Sequence, residues 1–167
     1  MQMDPMTSSA SPGGVGGSGT LRQPRQRSLS LTGVAEPVLR GREFTRRTLA
    51  DWSWLPEPRD PSDPMGLSIG DDVLLLVSET LSNACLHAGG PTEVVITASG
   101  AVLRVEVRDA STVVPKVTVP RPALPGGYGL LVVRLLSDRW GTTVSAGGKA
   151  VWFEVDAARI GGPEAGG

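Results

Sequence analysis

Residues 72–88 read DVLLLVSETLSNACLHA. At about 100° per residue, a helix through this stretch gathers Leu74, Val77, Leu81 and Cys85 on one side and Asp72, Glu79, Asn83 and His87 on the other. The first side suits the underside of a sheet, with Cys85 as a core residue. The second combines a carboxylate, a carboxamide and the only histidine of the chain, a set able to hold a hydrated metal ion and steer a proton. Ser68, followed by Asp71, supplies a capping-box-like start for the helix. Gly89-Gly90-Pro91 stops it, as a left-handed cap followed by proline should.

The rest of the 167-residue chain leaves room for one domain of roughly 130 residues. Hydrophobic residues make up 40% and charged residues 20%, with 16 Lys and Arg against 17 Asp and Glu. That balance gives no general attraction to nucleic acid or membranes. The longest apolar run, residues 73–77, is far below the roughly 18 residues of a membrane span. The N-terminus lacks the apolar region of a signal peptide, so the expected location is the cytoplasm. A single cysteine excludes an internal disulfide and a thiolate metal cluster.

Residues 1–28 are rich in Gly, Ser and Pro and are expected to form a disordered tail. The folded domain is expected over 29–157, with a flexible tail over 158–167. Residues 28–32 read as a short edge strand, and Glu36-Pro37 opens a helix running to about Trp52, proline being suited to the first helical position. Val38, Phe44, Leu49 and Trp52 form its apolar side. PEPRDPSDP, residues 56–64, is a loop. A β-hairpin follows over 92–98 and 101–109, with Val94, Ile96 and Ala98 facing inward from one strand and Leu103, Val105 and Val107 from the other. The same period turns Asp109 inward, where a carboxylate requires a donor. Residues 110–125 contain four prolines and form a long, lid-like loop. It ends in Gly126-Gly127-Tyr128-Gly129, whose free amides at the start of the short helix LLVVRLL favour an anion. A last hairpin, 139–146 and 149–156, turns at Gly147-Gly148. The expected fold class is α+β, a two-layer sandwich in which a mixed, mainly antiparallel sheet is covered on one face by helices. An acceptor for an amino-bearing ring, a metal ligand and backbone phosphate donors around one cleft describe a purine nucleoside triphosphate with Mg²⁺. No GxxxxGK[ST] motif occurs, so the site is not a P-loop.

Four segments, ETLSNACLHA, VEVRDAS, GGYGLLVVRLLSDRWG and GKAVWFEV, resemble the ATP-binding boxes of the Bergerat-fold (GHKL) superfamily, most closely its anti-sigma-factor serine/threonine kinase branch. The resemblance implies that Asn83 holds Mg²⁺, that Glu79 is the general base and that Asp109 accepts from the adenine amino group. It further implies that Gly127 and Gly129 close over the phosphates, within a nucleotide-binding set that includes His87, Ser111, Gly126, Tyr128 and Leu130. The implied function is phosphorylation of an anti-sigma antagonist by ATP, with a sigma factor as a further partner and a homodimer built from the first strand and helix. The fold equally admits a nucleotide-dependent switch with little or no kinase activity, or an isolated histidine-kinase-type catalytic domain. Three positions depart from the family pattern. Ser111 replaces the glycine of the first glycine box, Tyr128 replaces an arginine, and Ala150 replaces a threonine expected to support the adenine-binding aspartate.

Overall fold

A computed structural model describes residues 24–54, 69–115 and 128–156. In chain order these form β1 (Arg25–Ser30), α1 (Pro37–Asp51), α2 (Ile69–His87), β2 (Pro91–Ser99), β3 (Val102–Asp109), α3 (Gly129–Leu136), β4 (Arg139–Ser145) and β5 (Gly148–Asp156). The strands make one five-stranded sheet in the order β1-β2-β3-β5-β4. All its ladders are antiparallel, so the parallel component of the expected mixed sheet is absent among the described residues. β1 begins at Arg25, inside the stretch read from composition as tail. Ser68 and most of the residues expected to form the two proline-rich loops lie outside the described residues, as do 157–167.

The period-2 pattern determines which strand face is buried. Val94 and Ile96 of β2, Leu103, Val105 and Val107 of β3, and Phe153 and Val155 of β5 enter one core. α1 adds Leu49, α2 adds Val73, Leu76, Val77, Leu81 and Ala84, and α3 adds Val133. All three helices therefore cover the same side of the sheet. Val38 and Phe44 pack at its margin, and Trp52 and Trp54 close it beyond α1. The end of α1 is locked by paired bonds, Ser53 N–H to Ala50 O and Trp54 N–H to Leu49 O, with Ser53 in the left-handed region at φ 58°. That is the Schellman closure, made here without glycine.

The buried arc of α2 differs from the expected one at its end. It is centred on Val73, Val77 and Ala84, and Cys85 lies about 100° round from Ala84, on the last turns. Cys85 is accordingly exposed, which corrects its reading as a core residue. Thr80 takes a buried place instead, its hydroxyl donating to Leu76 O at 2.7 Å.

On the uncovered sheet face, charges form a cross-strand lattice. Arg108 donates to Glu93 and Glu106, while Arg104 donates to Glu106 and Glu154. Arg104 also lies over Trp152, 4.0 Å from the ring centroid. Burial alone would lower the Arg104 pKa, but hydrogen bonds to Glu106 and Glu154 reverse this and hold it above the ordinary arginine value. Among the described residues no helix is long and apolar enough to cross a membrane.

Candidate functional site

α2 packs on β3 and beside α3, so its polar stripe borders the start of α3 on the helical side of the sheet. Glu79 and Asn83 are half-buried there, one helical turn apart. Neither side chain makes a hydrogen bond among the described residues, so both remain open to a ligand. His87 is exposed on the last turn of α2.

The start of α3 meets Glu79 directly. A methyl group built on Gly129 would lie 2.8 Å from Glu79 Oε2, too close for a normal contact, so glycine at this position lets the helix begin against the carboxylate. The obstructing atom ends a flexible side chain, and Gly129→Ala is therefore expected to leave thermal stability near wild type while displacing Glu79. Any phosphoryl transfer should fall, with the fold intact by circular dichroism; equal loss of both would contradict this separation. Tyr128 caps α3 without a side-chain bond and is half-exposed, whereas Leu130 turns inward and is buried. Gly126 and Gly127 lie outside the described residues.

Asp109 ends β3 on the inward face and is only 4% exposed. Its donor is Lys149, the first residue after the glycine that opens β5. The two are cross-strand partners, Lys149 is equally buried, and its Nζ donates to Asp109 Oδ1 at 2.8 Å. The Ser111 N–H donates to the same oxygen, also at 2.8 Å, forming an Asx turn. Oδ2 is left without a hydrogen bond among the described residues. Beside this pair the β2–β3 ladder slips by one residue between Pro91 and Glu93, a bulge of the kind that re-aims strand ends next to functional sites.

Lys149 was not singled out in the sequence, although the signal was there. Counting back from Phe153 and Val151 along the inward period of β5 puts residue 149 inward, opposite the carboxylate that needs a donor. The same count corrects the role expected for residue 150. Ala150 pairs with Arg108 and Thr143, on the sheet face away from Asp109, so a hydroxyl there would not reach the carboxylate. Ser111 makes its contact through its backbone N–H, which any residue but proline offers. Its φ is not in the left-handed region, so glycine is not required for this arrangement.

These residues fit a purine nucleotide with Mg²⁺ in two respects. Oδ2 of Asp109 is an acceptor without a hydrogen bond among the described residues, and Asn83 offers a half-buried side-chain oxygen one helical turn beyond Glu79. Among the described residues no group of three or more His, Cys, Asp or Glu converges as a metal site, so Asn83 would hold the ion together with phosphate oxygens. A depression of about 520 Å³, lined by Thr92, Arg104, Glu106, Arg108 and Ala150, opens on the uncovered sheet face. It meets the candidate site only at Asp109 and Lys149.

No curated protein matches the chain. A family model of the histidine kinase-like ATPase domain matches residues 40–155, from the first turn of α1 to the end of the inward run of β5. That match takes in more than half of the chain and every residue of the candidate site, and the chain belongs to the histidine kinase-like ATPase family, whose domain binds ATP.

Proposed function

We propose that this protein is an ATP- and Mg²⁺-dependent regulatory serine/threonine kinase of the anti-sigma type, which phosphorylates an anti-sigma antagonist and binds a sigma factor. The observation that carries this reading is the approach of Glu79 to Gly129, which sets a carboxylate at the amide-rich start of α3, where phosphates are favoured. In the reaction, the attacking serine oxygen forms a bond to the γ-phosphorus as the bond from that phosphorus to the ADP oxygen breaks. Glu79 accepts the hydroxyl proton. Asn83 ligates Mg²⁺, which when bound offsets phosphate charge, and Asp109 accepts from the adenine amino group. Positioning and charge neutralisation supply the remainder of the catalysis.

Calorimetry with ATP, with and without Mg²⁺, tests the binding half. Asn83→Ala is expected to weaken Mg²⁺-dependent binding by about tenfold or more, the scale of one lost interaction with a charged group; unchanged affinity would remove Asn83 from the site. Incubation with γ-labelled ATP and a candidate antagonist tests the transfer half. Label on serine supports the kinase. ATP binding without transfer to any antagonist tested would favour the switch protein.

A further inference from the structure

We infer that Lys149 is a specificity-determining positioning residue, which makes Asp109 a fixed, charge-compensated acceptor for a 6-aminopurine. This rests on the assignment of Asp109 to the base. Three observations combine. Lys149 and Asp109 are each 4% exposed, and a carboxylate at that depth without a cation carries a desolvation cost that a neutral amino group of a base does not offset. Lys149 Nζ and the Ser111 N–H both occupy Oδ1, which fixes the plane of the carboxylate and, among the described residues, leaves Oδ2 as the acceptor. Lys149 Nζ also lies 3.5 Å from Ser111 O, so the ammonium ties the first residues of the following loop to the same point.

The register of this pair is held by the backbone. Gly148 has φ 143°, and a methyl group built on it would lie 1.9 Å from Asp109 O. Only glycine lets β5 start against the end of β3, and that contact sets residue 149 opposite residue 109.

The consequence concerns which base is accepted. An ionised carboxylate held by Lys149 only accepts hydrogen bonds, so it pairs with a 6-amino group and opposes a 6-oxo group. Without the cation, the carboxylate loses both its charge compensation and the contact that fixes its plane, so the acceptor aimed at the 6-amino group is no longer held in place. Loss of Lys149 should thus weaken ATP binding and narrow the preference for ATP over GTP together. A residue that only stabilised the fold would change neither in the folded protein.

The experiment is calorimetry of Mg²⁺-ATP and Mg²⁺-GTP binding to the full chain, K149M and K149R, with folding checked by circular dichroism. For K149M the expected result is a loss of about tenfold or more in ATP affinity, the scale of a charge-assisted hydrogen bond, with a smaller ATP-to-GTP ratio. K149R should restore much of both. Folded K149M with wild-type ATP affinity and ratio would overturn the inference while leaving the nucleotide site standing. An unchanged base preference in D109N would overturn the Asp109 assignment and this inference with it. A wild-type chain that binds neither nucleotide would overturn the nucleotide reading as a whole. Should K149M not fold, the double variant D109N/K149M, which has no buried charge at these positions, takes its place. It is expected to bind ATP and GTP alike, and a retained preference for ATP would overturn the inference.

Discussion

On the kinase reading proposed above, replacing Glu79 with alanine is expected to lower phosphoryl transfer to serine by about 10²–10⁴-fold, the range of a positioned general base, while ATP affinity stays near wild type. The expectation follows from where Glu79 sits. It is half-buried on α2, it touches the first residue of α3, and it carries no hydrogen bond among the described residues that the fold would lose. The core side of α2 is formed by other residues, Val73, Leu76, Val77, Leu81 and Ala84, so removing the carboxylate leaves packing alone. Single-turnover transfer from labelled ATP, run beside calorimetry on the same preparations, separates chemistry from binding. Equal rates in wild type and Glu79→Ala would exclude a base role, and parallel loss of ATP affinity would make Glu79 a binding residue. Glu79→Gln keeps the shape without the basicity and should be as slow as alanine.

Breaking the Asp109–Lys149 pair from one side lowers unfolding free energy by about 3–5 kcal/mol, the cost of stranding one buried charge. Both Asp109→Asn and Lys149→Met should show it in urea denaturation as a lower midpoint at unchanged slope. The double variant should recover most of the loss, since removing both charges also removes the desolvation penalty. Additive losses in the double variant would mean that the two side chains contribute independently, contrary to their 2.8 Å contact. Surface pairs such as Arg46 with Glu43 on α1 are screened by solvent and are expected to matter far less.

Much of this architecture is legible in the sequence. Alternation of apolar residues set the inward faces of β2 and β3, and Val94, Ile96, Leu103, Val105 and Val107 are all buried as expected. Gly89 and Gly90 end α2 with positive φ, and the Gly90 N–H reaches back to Ala84 O. Pro37 opens α1, and Gly129 opens α3. Sequence and structure part where the neighbour, and not the local period, decides the outcome. Cys85 shares the general side of Leu81, but the buried arc of the last turns runs through Ala84, about 100° round the helix, and leaves Cys85 exposed.

Two kinds of information thus met at the site. The sequence by itself determined the α+β sandwich, the polar stripe of Glu79 and Asn83, and the inward turn of Asp109, because each is a consequence of a repeat of 3.6 or 2 residues within one element. Only the tertiary structure decided that the donor to Asp109 is Lys149, forty residues on, that residue 150 faces the other way, and that Gly129 is needed for contact with Glu79. These depend on strand order and register: β5 lies beside β3 and is held there by Gly148 against the Asp109 carbonyl. A local period cannot specify that neighbour, since pairing between distant strands is chosen by closure of the whole core.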